Sequence, residues 1–234
     1  MVGEKKRLMI AIDGTAGAGK TTIGQMLAQY LDCQYLDTGA MYRAVALLAV
    51  RAGLSITDNQ TSLTEMARQL DFVARPATPS ETADGRQYTV LVAGEDVSQA
   101  LRDSQVEANV SQVAAIPTVR TELVSQQRAL AAQSDCFIMI GRDIGSVVLP
   151  QADLKIYLDA SLETRAQRRS QQNSGSNAQT LVAQQFITQR DRIDSGRSVS
   201  PLVVPAGALY INTDELTKEQ VFERIKTAIT DLLK

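Results

Sequence analysis

Short apolar runs alternate with helix-type patterns along most of the chain. Residues 8–12 form an apolar run, glycines follow, and residues 22–31 then carry apolar positions at helical spacing. The later predicted elements are strands at 35–36, 136–140, 154–158 and 209–211, a helix at about 39–52, and a final helix after a capping box at 217–220. Because strands that alternate with helices pack as a parallel sheet, the pattern predicts an α/β fold.

Two segments depart from this alternation. Between residues 62 and 104, two extended runs at 72–74 and 88–92 are joined by a stretch rich in Pro, Thr, Ser and Gly. This pattern predicts a small antiparallel insertion beside the parallel core. Residues 170–178 are strongly polar and lie in a region rich in glutamine, so we predict a mobile loop there.

The composition indicates a globular protein of one domain, or of one domain with an insertion. The chain has 234 residues, of which 44% are hydrophobic and 21% charged, and its formal net charge is −2. This balance does not indicate a basic surface for nucleic acid. No apolar stretch approaches the roughly 18 residues of a membrane span. We therefore predict a cytoplasmic protein that binds neither nucleic acid nor membranes.

The rare residues exclude several classes of catalytic and metal site. The chain has no histidine, so histidine triads, histidine general bases and histidine metal ligands are excluded. Its two cysteines, Cys33 and Cys136, form no C-x-x-C motif, which excludes the usual zinc and dithiol motifs. We predict that each is a small buried apolar residue in a reducing compartment.

Residues 14–21 match the phosphate-binding motif G-x-x-x-x-G-K-[ST] in full. The motif follows a predicted strand and precedes a predicted helix, which is the context that it requires. Its glycines let backbone N–H groups surround phosphate oxygens, Lys20 is placed to reach the β- and γ-phosphates, and the Thr21 hydroxyl is a ligand for Mg²⁺. The predicted ATP-binding residues are Gly14, Thr15, Ala16, Gly17, Ala18, Gly19, Lys20, Thr21 and Thr22.

A nucleotide-dependent switch is an alternative to a phosphotransferase. GTPase switches read guanine through N-K-x-D and sense the γ-phosphate through D-x-x-G, and this chain has neither motif. A phosphotransferase needs further cations for its acceptor, and arginines follow the predicted strand 136–140 and flank the polar segment. Each arginine alone also fits a solvated side chain or a surface ion pair. Their concentration favours a site for a phosphorylated acceptor.

Several motifs together resemble bacterial-type cytidylate kinases, which are P-loop nucleoside-monophosphate kinases. They include D-T-G-A-M-Y-R, S-Q-V-A and G-R-D-I-G, and the matching segments are residues 10–22, 35–43, 94–97, 111–120, 141–148, 155–169 and 190–202. The resemblance implies a three-layer P-loop kinase fold with a central parallel sheet and a small antiparallel insertion in the monophosphate-binding region. It implies a core of residues 1–61 and 105–234, with a lid at about 165–189, and an inserted subdomain at 62–104.

The resemblance also assigns the site residues. The arginines that hold the monophosphate match Arg43, Arg142 and Arg190, and the hydroxyl beside them matches Thr38. The residues that read the cytosine ring match Ser111, Arg120 and Asp143, and those that hold the sugar match Asp194 and Arg197. The lid cations match Arg165, Arg168 and Arg169, and the implied catalytic set is Lys20, Arg142, Arg165 and Arg169. A carboxylate such as Asp143 accepts from the amino group of cytosine, whereas uracil presents an acceptor there.

The motifs and the resemblance together predict a Mg²⁺-dependent enzyme. It transfers the γ-phosphoryl group of ATP to CMP and dCMP, giving the diphosphate and ADP. Two alternatives stay open: a P-loop kinase for another small acceptor, and a non-catalytic ATP-binding protein. The second is motivated by Ile140, which stands where the family commonly has an acidic residue. The predicted partners are these nucleotides, and the resemblance favours a monomer.

Overall fold

The computed structural model describes residues 7–172 and 177–234, and strands and helices alternate along most of them. The strands are β1 (Leu8–Gly14), β2 (Gln34–Asp37), β3 (Phe72–Pro76), β4 (Tyr88–Val92), β5 (Glu95–Asp96), β6 (Cys136–Ile140), β7 (Leu154–Asp159) and β8 (Leu209–Asn212). The α-helices are α1 (Lys20–Leu31), α2 (Thr38–Arg51), α3 (Gln60–Arg68), α4 (Ser104–Val113), α5 (Pro117–Ala132), α6 (Leu162–Gln172), α7 (Asn177–Ser195) and α8 (Lys218–Leu232).

A five-stranded parallel sheet forms the centre of the fold, in the order β2-β6-β1-β7-β8. All seven residues of β1 are buried. Its register with β6 runs from Leu8 opposite Cys136 to Ile12 opposite Ile140. Because a strand covered on both faces requires apolar side chains on both, β1 and β6 read as continuous apolar runs in the sequence. The predicted α/β fold with a central parallel sheet is confirmed.

The chain divides into two compact units. One contains Met1–Gln34 and Ala131–Lys234, and the other contains Tyr35–Leu130. In the second unit, β3, β4 and β5 form a three-stranded antiparallel sheet. This finding confirms the small antiparallel piece, whereas a separate subdomain bounded at residues 62–104 stays a prediction.

The polar segment at residues 170–178 is more helical than the sequence predicts. α6 continues to Gln172 and α7 begins at Asn177, so the loop predicted for the two ends of this segment is wrong. Glutamine is a good helix former, and its polarity here marks helical rather than irregular chain. The predicted mobile loop otherwise falls on residues 173–176, which lie outside the described residues.

The two cysteines are joined to each other. A disulfide links Cys33, just after α1, to Cys136, the first residue of β6, with the Cα atoms 4.8 Å apart. Both residues are partly exposed, so the prediction of two separate buried thiols is wrong. The reason is topological, because 103 residues separate the pair along the chain and only the packing of α1 on β6 brings them together.

The C-terminal helix begins as predicted. The Thr217 hydroxyl accepts from the Gln220 N–H, and the Gln220 side chain accepts from the Thr217 N–H, which completes a capping box. Val221, Ile225 and Ile229 form the buried face of α8. Among the described residues, no helix combines the length and the apolar character that a membrane crossing needs.

Candidate active site

The phosphate-binding motif forms the turn between β1 and α1. A Cβ atom at Gly14 would lie 2.0 Å from the carbonyl oxygen of Leu158, so no larger residue fits there. Gly17 and Gly19 have φ angles of 84° and 96°, a region that favours glycine. Gly19 is also the N-cap of α1, so the positive end of the helix lies at this turn without a capping side chain. Such a turn presents its backbone N–H groups to an anion.

The Lys20 side chain is folded over this turn. Its Nζ donates to the carbonyl oxygens of Gly14 at 2.7 Å and Thr15 at 2.6 Å, and only 7% of the residue is exposed. The ammonium group therefore lies among the backbone atoms that would surround a phosphate. Phosphate oxygens can take the place of these carbonyl oxygens as its acceptors.

Thr21 and Thr22 are exposed in the first turn of α1. A hydroxyl oxygen is a hard ligand that suits Mg²⁺, which takes few protein ligands when phosphates supply the other oxygens. Among the described residues, no group of three or more Asp, Glu, Cys or His side chains is placed to hold a metal ion. Thr21 therefore fits Mg²⁺ as one ligand beside the phosphate oxygens of a nucleotide.

Arg142 lies just after β6 and belongs to a cluster of buried charges. Its Nε donates to Asp194 Oδ2 at 2.9 Å, and Asp194 Oδ1 accepts from the Arg197 guanidinium. Burial alone would raise the pKa of Asp194, but the charges of Arg142, Arg197 and Arg190 outweigh burial and hold the pKa below its usual value. The structure thus brings these four predicted site residues together. Three guanidinium groups around one carboxylate leave an excess of positive charge, which suits a phosphate.

Asp143, the predicted base-reading carboxylate, follows Arg142 and is only 4% exposed. Its backbone carbonyl accepts from the N–H groups of Val147 and Val148 at 2.9 and 3.1 Å, so a short π-helical turn begins here. Ile140, at the end of β6, is 1% exposed and lies opposite Ile12 of β1. Ile140 therefore contributes to the core, and an ionised carboxylate would be costly in that position.

Arg165 contacts the phosphate-binding turn directly. Its Nε donates to the Ala160 carbonyl at 2.9 Å, and its Nη1 donates to the Ala16 carbonyl at 3.1 Å and to Asp191 Oδ2 at 2.5 Å. The other Asp191 oxygen accepts from the Ala16 N–H at 3.3 Å. Arg165 and Asp191 together therefore connect α6 and α7 to the turn through charged hydrogen bonds.

The other two predicted lid arginines have different surroundings. Arg168 donates from Nη1 to Thr213 Oγ1 at 2.9 Å and from Nη2 to the Thr213 carbonyl at 2.6 Å, and Thr213 directly follows β8. The Arg169 guanidinium lies 5.2 Å from the centre of the Phe186 ring on α7. The structure therefore places Arg165 at the phosphate-binding turn, and gives Arg168 and Arg169 partners elsewhere in the same unit.

The second compact unit holds Thr38 and Arg43 on α2. Thr38 is the first residue of the helix and is 4% exposed, and the Asp37 side chain before it caps the helix by accepting from the Gly39 N–H at 2.9 Å. Arg43 lies just over one turn later and donates from Nε to Glu107 Oε1 at 3.0 Å. The helix cap thus fixes the start of α2, and Glu107 of α4 orients the Arg43 guanidinium.

Ser111 on α4 and Arg120 on α5 are both buried in this unit. The Arg120 guanidinium lies 5.3 Å from the centre of the Tyr42 ring, and its Nη1 donates to the Ala114 carbonyl at 3.2 Å. Because an aromatic ring against the face of a guanidinium fixes its plane, the N–H groups of Arg120 have a defined direction.

Sequence reasoning gave no role to two carboxylates that the structure places at the site. Asp13 is 0% exposed at the end of β1, and Asp191 contacts both Arg165 and Ala16. Both lie inside the matched segments 10–22 and 190–202. An acidic residue that interrupts an apolar strand just before a phosphate-binding motif was the signal available for Asp13.

Comparisons with known proteins cover nearly the whole chain. The cytidylate kinase family model matches residues 10–231. A cytidylate kinase of Caldanaerobacter subterraneus subsp. tengcongensis is 44% identical over 94% of this chain and 93% of its own length. One of Chloroflexus aggregans is 49% identical over 89% of this chain and 87% of its own length. A solved structure of an uncharacterized protein from Eubacterium ventriosum shares the fold, with a TM-score of 0.52 and 10% identity over 96% of this chain and 99% of that one. The chain therefore belongs to the cytidylate kinase family.

Proposed function

We propose that the chain transfers the γ-phosphoryl group of ATP to CMP and dCMP, giving ADP and CDP or dCDP. The observation that carries the proposal is the buried cluster of Arg142, Asp194 and Arg197 in the same compact unit as a complete phosphate-binding turn. The turn alone suits a nucleoside triphosphate, and a second group of cations suits a phosphorylated acceptor. In the reaction, the bond from the γ-phosphorus to the β–γ bridging oxygen breaks, and a bond to an oxygen of the CMP phosphate forms.

On the donor side, the backbone N–H groups of residues 14–21 bind the phosphates of ATP, and Lys20 neutralises charge at the β- and γ-phosphates. Thr21 supplies a hydroxyl ligand to Mg²⁺, which when bound offsets the negative charge of the phosphates. Arg165 and Arg169 stabilise the charge on the transferred group. For Arg165, phosphate oxygens compete with the Asp191 carboxylate for Nη1.

On the acceptor side, the CMP phosphate is held by Arg43, Arg142 and Arg190, with the Thr38 hydroxyl beside it. The ribose hydroxyls are held by Asp194 and Arg197. The Asp194 carboxylate suits this role because its low pKa keeps it ionised and able to accept. Phosphoryl transfer needs little covalent participation from the protein, so positioning and charge stabilisation are sufficient without histidine.

Selection of cytosine is assigned to Ser111, Arg120 and Asp143. The Asp143 carboxylate accepts from the exocyclic amino group of cytosine, and uracil presents a carbonyl oxygen at the same position. Two acceptors that face each other repel and form no hydrogen bond, which disfavours UMP strongly. The cytoplasmic location and the monomeric state stay predictions.

The test is steady-state ADP production from Mg·ATP with CMP, dCMP, UMP, AMP or GMP as acceptor, and with no acceptor. We expect fast turnover with CMP and dCMP alone. Turnover with UMP or AMP instead would still show a kinase, but it would contradict the base-reading roles of Ser111, Arg120 and Asp143. Binding of ATP without turnover of any acceptor would contradict the proposed reaction.

A further inference from the structure

We propose that Asp13 is a positioning residue for the acceptor, whose carboxylate clamps the segment carrying Arg142 and Asp143 to the strand that leads into the phosphate-binding turn. The proposal rests on the proposed function, because it assigns Asp13 an effect on the use of CMP rather than on the binding of ATP. All the residues that carry it lie in one compact unit.

Both oxygens of the Asp13 carboxylate are used. Oδ1 accepts from the Ile144 N–H and Oδ2 accepts from the Gly145 N–H, each at 2.7 Å. Hydrogen bonds to an ionised acceptor are short and strong, and Asp13 is 0% exposed, so water does not compete. Two bonds from two oxygens fix both the distance and the rotation of the segment that begins at Ile144.

A second anchor lies on the other side of the two acceptor residues. The Gly141 N–H donates to the Ile12 carbonyl at 3.0 Å. Arg142 and Asp143 are therefore the two residues between anchors that lie on consecutive residues of β1. The same strand continues at Gly14 into the phosphate-binding turn, so one rigid element sets the position of both the turn and these two residues.

The clamp is closely packed. A Cβ atom at Gly145 would lie 3.3 Å from Asp13 Oδ2 and 3.0 Å from Pro205 Cγ, so a side chain there would press on the carboxylate. Pro205 and Asp13 thus confine Gly145 from two directions. The fit leaves the segment little room to shift while the two hydrogen bonds are kept.

Burying the Asp13 carboxylate costs free energy, which argues that the residue has a role beyond packing. Burial raises the pKa of Asp13 to about 6. The hydrogen bonds from the Gly145 and Ile144 N–H groups lower the pKa and offset part of the effect of burial. Of the charges near it, Asp143 raises the pKa further and Lys20 lowers it. At neutral pH the group is ionised and accepts two bonds, whereas its protonated form carries a hydrogen on one oxygen.

The test replaces Asp13 by Asn, which keeps the shape but sets an amide group against one backbone N–H. Because a misplacement of about 1 Å costs roughly 100-fold in rate, we expect kcat/KM for CMP to fall roughly 10-fold to 100-fold. We expect the Kd for ATP to change less than about 3-fold, since Lys20 and the turn are retained. The matched control is Asp153→Asn, whose carboxylate accepts from the Met9 N–H at 2.7 Å at the other end of β1. This control leaves kcat/KM unchanged.

A pH profile separates positioning from a general loss of structure. The readout is the ratio of wild-type to Asp13→Asn kcat/KM, in which the titration of the CMP phosphate cancels. We expect the ratio to be large at about pH 8 and to approach about 1 at about pH 5, where protonated Asp13 resembles the amide. A ratio that does not change with pH would overturn the proposal.

The remaining outcomes of these experiments also decide between the clamp and the proposed function. Equal losses for ATP and CMP, or no loss for either, overturn the clamp while wild-type CMP turnover keeps the proposed function. Wild-type protein that does not phosphorylate CMP overturns both. If Asp13→Asn does not fold, Gly145→Ala tests the same clamp, and the expected result is again a loss confined to CMP. Unchanged CMP use in that variant counts against the proposal.

Discussion

The phosphate-binding turn and the buried arginine cluster both suit a phosphate group, but they are built from different parts of the chain. The turn binds an anion with backbone N–H groups and one lysine, and Lys20 contacts carbonyls only five and six residues away in sequence. The cluster uses side chains whose partners are distant, because Arg142 and Asp194 are 52 residues apart. A backbone site is therefore defined by a local motif, whereas a cluster of side chains is defined by the fold.

The two regions also differ in the residues that they require and in the charges that they bury. The turn requires glycine at Gly17 and Gly19, and of its residues 14–20 Gly17 alone is exposed. The cluster buries Asp194 and Arg197 almost completely, and their mutual charges offset the loss of hydration. We expect the turn to depend on one side chain, Lys20, and the acceptor side to depend on several paired side chains.

The largest expected effect is at the turn. Replacing Lys20 by Met removes the ammonium group from the β- and γ-phosphates, and we expect kcat to fall roughly 100-fold to 1,000-fold. Initial rates at saturating ATP and CMP measure it. Lys218→Met, on the exposed first residue of α8, is the control and keeps full activity. A similar loss in both variants would show that the lysine at the turn has no special role.

The next effect is on the acceptor side. Replacing Asp143 by Asn removes the negative charge and turns one of its two acceptor oxygens into an NH2 donor, so we expect kcat/KM for CMP to fall roughly 10-fold to 100-fold. The preference for CMP over UMP should shrink as well, because the amide can donate to uracil. Kinetics with both acceptors and the Kd for ATP measure this. A parallel loss of ATP binding would assign Asp143 to the core rather than to the base.

A smaller effect concerns stability and the anchor of the acceptor segment. The folded pKa of Asp13, about 6, is above that of the unfolded chain, so the folded state binds more protons between about pH 4 and 6. The unfolding free energy contributed by Asp13 therefore falls as pH rises through this window, by about 2–3 kcal/mol. Urea denaturation of the wild type and Asp13→Asn, at about pH 4.5 and 7.5, measures it. An identical pH dependence in both proteins would contradict a buried, titrating Asp13.

The smallest expected effect on activity is that of the disulfide. Cys136 begins β6, at the opposite end of the strand from Arg142, so reduction leaves the site in place. A cross-link between residues this far apart in sequence stabilises by roughly 2–5 kcal/mol, and we expect the Tm to fall on reduction. Thermal unfolding and kcat with and without dithiothreitol test both statements. A large drop in kcat without a change in Tm would link the cysteines to the site instead.

The sequence predicted the parts of the fold that have a local signal. The strands β1 and β6 are apolar runs because they are buried in a parallel sheet, and the capping box marks the start of α8. The glutamine-rich residues around α6 and α7 led to a wrong prediction of a loop, because a polar helix and a polar loop have similar compositions. The predicted strand ends lie within two residues of the observed ones. β1, for example, is predicted to end at residue 12 and extends to Gly14.

The contacts between distant residues could not be predicted in the same way. Asp13 and Gly145 are 132 residues apart, and Arg165 and Asp191 are 26 apart. No period or spacing encodes such pairs, because the topology of the sheet brings them together. The roles of the arginines and of Asp194 thus came from a resemblance, whereas the pairing of Arg142 with Asp194 and of Arg165 with Asp191 came from the structure.

The most direct test of the proposed reaction is a competition between CMP and UMP. Equal amounts of CMP and UMP are mixed with Mg·ATP and wild-type protein, and the products are followed by phosphorus-31 NMR. Because both acceptors share one enzyme, the initial product ratio is the ratio of their kcat/KM values. We expect CDP and ADP to form in equal amounts while UMP is left unchanged. Formation of UDP at a comparable rate, or ADP without any CDP, would contradict it.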